Sequence, residues 1–472
     1  MGLRRFNVDL GSLGKDDSIR LWLPFVYPEI GYKYDKLNDY LQLCESGKRP
    51  KGGINSQDLG KAISLGGEQI NADGSVDLSK IPYVANDYYE SVEKGKVTDN
   101  DILICKDGAL TGKTCIVDFS IFPSKNVMVN EHVYIFRGND KIHQRFLFYY
   151  TRNALFQAQV KDLAYRKKAQ PGLNFDHLKK IRIPAIPKNE QKKILKVIEP
   201  IEQKITKHKA KINKPQEVIN RVFAKEFRFN LEQFEVLKNI KIFDLNFSNF
   251  GNNKDLRDSV KFHRQAGNFV LDELKSKTNK KIKDFIAEPI VLGKGISPAQ
   301  YEDDNGEYYY LSMATIKNWK FEKENARLVT DKFATDNENK TVQNNDILLA
   351  RSGEGTIGKV AIIDDEELQG IFADFTMRVR LKDYNCLFAY YYFRTEYFQY
   401  LVEINKKGLG NNTNIFPSQL QEFPLLDISK EEQQRIVDEI KTELDAQEKI
   451  KTEIEKERNK IDVIIENAIK NS

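Results

Sequence analysis

Downstream of Ile194 the apolar residues fall on a seam. Alternating steps of four and three residues meet Ile198, Ile201, Ile205, His208, Ile212, Pro215, Ile219, Val222 and Glu226, and seven of the ten positions are Ile or Val, with Lys, Glu and Gln between them. The same steps from Ile436 meet Ile440, Glu443, Gln447, Ile450, Ile454, Glu457, Ile461, Ile464 and Ala468, again seven apolar positions in ten. A heptad repeat sustained this long predicts a long packing helix in each place. About 38 residues make roughly 57 Å of helix, too long for burial inside one globular domain. Each helix therefore needs a partner, and the other copy supplies one; folding back on its own domain and pairing with another chain are the alternatives. Pro215 lacks an amide hydrogen and clashes with the preceding turn, so the first helix is expected to kink or break there. Glu457 holds the matching place in the second, which can run straight.

Ahead of each helix the pattern changes to short runs of Ile, Val, Tyr and Phe. Turn signals break them, such as Asn71-Ala72-Asp73-Gly74, Lys106-Asp107-Gly108, Gly293-Lys294-Gly295 and Asp304-Asn305-Gly306. This reads as a mixed α/β domain before each helix. The two stretches also repeat one another. DILICKDGALTGKTCIVD at residues 101–118 returns as DILLARSGEGTIGKVAIID at residues 346–364. Tyr150-Thr151-Arg152 returns as Tyr392-Phe393-Arg394, Phe156-Gln157 as Phe398-Gln399, Lys167-Lys168 as Lys406-Lys407, and Glu190-Gln191 as Glu432-Gln433. The chain is thus two copies of one large unit rather than a solenoid of small ones. Proline-marked boundaries at residues 183–187 and 423–426 divide it into domains at residues 1–187 and 229–428 and helices at residues 188–228 and 429–472. The expected class is α+β.

Composition adds bounds. With 472 residues, 40% of them hydrophobic, the chain can build real cores. No stretch approaches the roughly 18 uncharged apolar residues of a membrane span. MGLRRFNVDL lacks the apolar core of a signal peptide, and Phe6 stands where a myristoylation signal requires Ser or Thr. A soluble cytoplasmic protein is expected. Cys44, Cys105, Cys115 and Cys386 form no CxxC pair and the five histidines are scattered, so reduced, mostly buried thiols and no metal site are expected.

Catalytic patterns fail one by one. Residues 108–114 approach a phosphate-binding loop but are one residue too short. Residues 353–359 have the spacing, yet Val360 replaces the magnesium-binding Ser or Thr. A glycine-rich turn after a strand needs only its backbone geometry to explain it. The chain has no Pro-Pro pair for an adenine-methyltransferase loop. Neither catalytic residues nor metal ligands are assigned.

Binding has better support. From Arg137 to Arg182 eleven Lys and Arg residues face three Asp, interleaved with Phe146, Phe148, Tyr149, Tyr150, Phe156, Tyr165 and Phe175. Phosphate contacts use such an excess of long cations. Residues 146–156 also read as an amphipathic helix whose aromatics face a core, so half of the aromatics are assigned to core and Arg166, Lys167 and Lys168 to DNA. Residues 230–275 are an addition to the second copy, and residues 257–263 within it suit either a DNA groove or a linker.

The two DIL turns, the aromatic helices after them and the two Pro-then-Glu-Gln helix starts resemble the specificity subunits of Type I restriction-modification systems, in order and over nearly the whole chain. The resemblance implies two target-recognition domains, each reading one half of a bipartite sequence in double-stranded DNA. It also implies two long antiparallel coiled-coil helices that join the domains, set the distance between the halves and give an internal pseudo-two-fold repeat. Two methyltransferase subunits, and a translocating restriction subunit where cleavage occurs, are the implied partners. S-adenosylmethionine, ATP and Mg belong to those partners, with no cofactor in this chain. The residues expected to meet DNA are Lys106, Lys113, Arg166, Lys167, Lys168, Arg351, Ser352, Lys359, Lys406 and Lys407. Asp107, where the second copy has Ser352, puts an identical phosphate contact by Lys106 in doubt. Ile194, Ile198, Ile201, Ile205, Ile212 and Ile219 are expected to pack against Ile436, Ile440, Ile450, Ile454, Ile461 and Ile464. A specificity component of a simpler restriction and methylation system, a coiled-coil scaffold without a DNA role, and a nucleotide-hydrolysing enzyme are the alternatives.

Overall fold

A computed structural model describes residues 27–51, 62–164, 171–246, 248, 259–302, 306–353, 355–408 and 412–470. The chain divides into two compact units, residues 1–210 with 452–472, and residues 211–451.

In the first unit the apolar run ILIC forms the strand Ile102–Cys105, and all four residues are buried. It is the inner strand of an antiparallel sheet in the order Leu41–Ser46, Val133–Gly138, Ile102–Cys105, Thr114–Ile116. A smaller sheet sets Ala62–Leu65 between Tyr83–Val84 and Val127–Val129, pairing with the latter in parallel. Ile63, Leu65, Leu103, Val129, Val133 and Ile135 close the core that both sheets share. The helices Gln144–Arg152 and Ala154–Ala164 follow. Phe146, Phe148, Tyr149, Tyr150 and Phe156 are all buried, so the core takes more than the half assigned to it; Phe175 is exposed, and Tyr165 lies outside the described residues.

The second unit repeats this order. Ile347–Ala350, again wholly buried, is the inner strand of the antiparallel sheet Val291–Leu292, Thr376–Val379, Ile347–Ala350, Val360–Ile362. Its other sheet runs Tyr301–Glu302, Arg327–Val329, Tyr308–Leu311, Gly370–Phe372, with the last pair parallel. Two described helices of residues 230–275 join this unit's core. The helices Leu231–Asn239 and Gln265–Lys275 bury Phe234, Ala266, Val270 and Leu274 in the same core as Tyr397, Leu401 and Ile404. Gly267 is required there, because an added Cβ would stand 2.6 Å from Ile404 Cδ1. His263 is buried, and Arg257 lies outside the described residues.

The repeated motifs have structural causes. Arg137 grips the buried Asp101 with two hydrogen bonds of 2.8 and 2.7 Å, and Arg380 grips the buried Asp346 in the same way at 2.8 and 2.7 Å. The Phe-Gln repeat places Gln157 Nε2 on the Gly112 and Thr151 carbonyls and Gln399 Nε2 on those of Gly358 and Phe393. The Glu-Gln repeat fastens each helix start to its domain. Buried Gln191 accepts from the His143 amide and donates to the Ile186 carbonyl, and Gln433 does the same with Asn385 and Ile428.

The heptad stretches form the helices Lys188–Lys209 and Pro215–Phe227 in the first copy and the uninterrupted helix Lys430–Lys470 in the second. Pro215 is the first residue of its helix, where its missing N–H costs nothing. Pro200 lies inside the preceding helix without ending it. In the first unit, Ile198, Ile205, Ile454 and Ile461 are buried, and Lys204 pairs with Glu457 at 2.5 Å. In the second, Ile219, Val222 and Phe223 share a core with Ile436, Val437 and Ile440. Lys225 meets Glu439 at 2.8 Å, and Arg221 and Arg435 pair with Glu443 and Glu226. Within this unit the partner numbers fall as the helix numbers rise, so the packing is antiparallel. Gln447 interrupts the apolar seam for a reason: its side chain accepts from the Asn213 amide at 2.9 Å, in the break before Pro215. Ile194, Ile201, Ile212, Ile450 and Ile464 are half-buried, and near the end Ile465 and Ile469 are buried in place of Ile464 and Ala468. A straight helix of 3.6 residues per turn drifts away from a 3.5-residue seam, which moves the stripe by one position.

All four cysteines are free; Cys105 and Cys115 are buried, Cys44 and Cys386 half-buried. Burial pushes the Cys44 and Cys115 thiols up to about 12. Among the described residues no group of His, Cys, Asp or Glu is placed to hold a metal ion, and no helix is long and apolar enough to cross a membrane.

Candidate nucleic-acid interface

The buried strands Ile102–Cys105 and Ile347–Ala350 each end in a turn that opens with a cation, and in each unit two other loops converge on it. In the first, the Lys106 amide donates to the His132 carbonyl at 2.9 Å and the Leu173 amide to the Lys106 carbonyl at 2.7 Å. In the second, the Arg351 amide donates to the Phe375 carbonyl at 3.0 Å and the Ile415 amide to the Arg351 carbonyl at 2.9 Å. The glycines shape the turns. Gly112 and Gly358 adopt φ of +91° and +83°, a region closed to most side chains. A Cβ on either would also press on the following helix, 2.9 Å from Val160 Cγ1 or 2.8 Å from Gln399 Oε1. Backbone shape and close packing thus account for glycines that resemble a phosphate-binding loop.

Beside each turn lies a cleft, and the two are lined differently. The first, of about 610 Å³, is walled by Arg49, Ser64, Gln69, Asp107, Asn130 and His132. His132 Nδ1 lies 3.1 Å from Asp107 Oδ2, and Arg49 bonds to Glu131 and reaches His132 Nε2 at 3.0 Å. Burial is the largest single influence on Glu131 and opposes its ionisation, but the hydrogen bonds it accepts and the charges of Arg49 and His132 together outweigh it and hold the carboxyl below its usual range. The Ser64 hydroxyl is buried there without a hydrogen-bond partner. The second cleft, of about 380 Å³, is walled by Gly295, Tyr301, Tyr310, Ser312, Met313 and Phe375. It has three aromatic rings and one charged residue, Asp374, where the first has several charges and no aromatic ring but that of His132.

The cations are held differently as well. Lys106 Nζ sits 5.1 Å from the Tyr134 ring centroid and 4.0 Å from Asp107 Oδ2, and Tyr134 in turn packs on the exposed Phe175. The acid that followed Lys106 in sequence does stand beside it. Arg351 instead donates from Nε to the Asp374 carbonyl at 2.8 Å, with its guanidinium 5.8 and 5.9 Å from the rings of Phe375 and Phe416. Phe175, Phe375 and Phe416, exposed by 47%, 46% and 37%, are the exposed phenylalanines among the described residues, and all three border these turns.

The remaining predicted contacts scatter. Lys113 and Lys359 are half-buried on the far limb of each turn, with no side-chain ion pair among the described residues. Ser352 is buried and its backbone bridges to Asn414. Lys406, expected to face DNA, is buried against Glu403 at 2.7 Å, so its charge is already matched inside the fold. Lys407 is half-buried and its backbone pairs with Asn414. Arg166, Lys167 and Lys168 lie outside the described residues. Sequence reasoning missed Arg49, His132, Phe375 and Phe416, and had Phe175 only as one of seven aromatics in the basic stretch. The repeat itself held the available signal, since the backbone bonds pair His132 with Phe375.

A family model described as the Type I restriction modification DNA specificity domain matches residues 30–215 and again residues 275–460. The chain belongs to this family. Each match encloses one cation-bearing turn and its convergent loops. The putative type I restriction enzyme MjaX specificity subunit of Methanocaldococcus jannaschii is 26% identical over 189 residues, covering 39% of this specificity-domain chain. The match spans 42% of that relative's length. Among solved structures, a chain described under the assembly and conformational transition of the type I R-M system covers 95% of this chain and 100% of its own, at 13% identity and a TM-score of 0.46. The S subunit of a Type I restriction-modification system from M. genitalium covers 95% and 98%, at 14% identity and a TM-score of 0.40. The HsdS subunit from Thermoanaerobacter tengcongensis covers 93% and 97%, at 13% identity and a TM-score of 0.33.

Proposed function

We propose that this chain is the non-catalytic DNA specificity subunit of a Type I restriction-modification complex. Each matched region would be a target-recognition domain that reads one half of a bipartite sequence in double-stranded DNA. The seam helices would form one antiparallel coiled coil with pseudo-two-fold symmetry, joining the domains and fixing the gap between half-sites. Their outer faces would dock two methyltransferase subunits, and a restriction translocase where cleavage occurs. S-adenosylmethionine, ATP and Mg would be bound by those partners, and the complex would act in the cytoplasm.

The observation that carries this reading is that a DNA specificity domain matches twice, each time around a turn where one scaffold presents a cation among loops of different chemistry. Conserved backbone connections with divergent surfaces suit two readers that share a fold and differ in target. The test is to co-express the chain with its methyltransferase subunit and map methylated adenines in host DNA. A two-part motif with a fixed gap is expected, and exchange of one domain should change one half alone. A verified complex that methylates no defined motif would overturn the proposal and leave the scaffold reading standing.

A further inference from the structure

We infer that Arg351 reads a guanine within the half-site contacted by the second domain, a role resting on the proposed function above. Two other forks on the neighbouring strand and its end are spent. Arg380 uses both arms on Asp346, and Arg378 uses its own on Glu288 and the Thr341 carbonyl. Arg351 commits only Nε, to the Asp374 carbonyl, and its two terminal nitrogens meet no acceptor among the described residues. Fixing Nε fixes the plane of the guanidinium. The rings of Phe375 and Phe416, 5.8 and 5.9 Å away, restrict it further, and both rings are exposed. What remains is a planar pair of donors, oriented in advance on a half-buried turn that two exposed rings border.

That geometry favours a base edge over a phosphate. Guanine presents O6 and N7 side by side in the major groove, and an arginine fork meets both at once, so a preset plane gains specificity. An arginine fork also meets a phosphate bidentately, but a phosphate takes a lysine's point charge as well and carries no base information, so the preset plane has its distinctive use at a base edge. The first unit offers the contrast: Lys106 has one nitrogen, lying near Asp107 and over Tyr134. The inference is therefore specific to the second domain.

The experiment uses the complex with its methyltransferase subunits and a duplex panel carrying each base pair at each position of the mapped motif. Arg351→Ala and Arg351→Lys should each relax discrimination at a single G·C position by between about 5- and 150-fold, with the other half-site read as before. The lysine variant keeps the charge and stem and loses only the fork, and intact reading of the first half-site reports a folded complex. Replacing that guanine by 7-deazaguanine, which lacks the N7 acceptor, should weaken the wild type and leave both variants indifferent. A uniform loss across all sequences, or unchanged discrimination, overturns the inference while leaving the specificity reading intact. A wild-type complex without any two-part motif would instead overturn that reading, and this inference with it.

Discussion

The two inner strands of the sheets, compared side by side, separate what the repeat keeps from what it changes. Arg137 and Asp101 are joined by bonds of 2.8 and 2.7 Å, and Arg380 and Asp346 by bonds of the same lengths. In each unit the same carboxylate also caps the turn before its strand, accepting from the Thr98 amide at 2.7 Å or the Gln343 amide at 2.9 Å. At the other end of each strand the likeness stops. Lys106 beside an acid stands against Arg351 between rings, and His132 in a charged chain stands against Phe375 in an aromatic wall. Buried groups that satisfy backbone atoms are kept because any change strands a partner. Half-exposed groups on the converging loops bear no such constraint and are free to differ.

The largest expected effect comes from breaking what is kept. Asp101→Ala removes a buried carboxylate and leaves Arg137 and a backbone amide without that partner, which should cost about 3 to 5 kcal/mol, and Asp346→Ala should cost less, because Arg380 keeps Glu288 at 3.1 Å. The arginines are 31% and 20% exposed, so the lower end is expected. Hydrogen exchange read by mass spectrometry should show lost protection in the mutated unit alone, and more of it in the first unit, where Arg137 has no second acidic partner among the described residues. Loss confined to one of the two pairs would show that the likeness is geometric without being energetic.

Gln191→Ala and Gln433→Ala come next. Each strands one amide and one carbonyl at a helix start, for about 1 to 3 kcal/mol. The expected signature is faster exchange over residues 186–195 in the first variant and 428–437 in the second, with the sheets unaffected. Equal exchange in variant and wild type would mean that the helix starts are held by apolar packing instead.

These kept features were the ones legible in sequence. The DIL runs, the Phe-Gln and Glu-Gln pairs and the break at Pro215 are local patterns whose partners are backbone atoms or nearby residues. The seam was legible too, apart from its slip onto Ile465 and Ile469, which needs the true helical pitch. Lys406 misled because its partner Glu403, three residues earlier, reads as solvated until the fold closes over both. Residues 146–156 misled because apolar rings on a basic stretch suit a core and a DNA surface equally. The clefts were the least legible part. Arg49, Glu131 and His132, or Arg351, Phe375 and Phe416, arrive from separate loops, and no spacing rule joins them.

Exchanging the divergent pair should give a smaller and more selective effect. His132→Phe and Phe375→His alter loop side chains whose backbone bonds stay in place, so stability should change little. Each variant should shift base preference within its own half of the motif and leave the other half unchanged, as read by methylation mapping. A shift in the wrong half would reverse the assignment of domains to half-sites, and no shift in either would remove both residues from the readout.

The smallest expected effect separates charge from reading. Lys359 lies on the far limb of the turn that carries Arg351, half-buried along its stem and without an ion pair among the described residues. A lone ammonium there has the chemistry of a phosphate contact, which contributes counterion release and no sequence information. Lys359→Ala should therefore lower the slope of log affinity against log salt by about 0.9, weaken every duplex alike and leave the ratio between cognate and altered sites unchanged. Lys113→Ala should do the same from the first unit. Arg351 predicts the opposite pattern, a changed ratio at one position. Two cations eight residues apart would then divide the work, one setting how tightly DNA is held and the other which sequence is held. If Lys359→Ala changes the ratio and not the slope, that division fails and the far limb of the turn belongs to the reading surface.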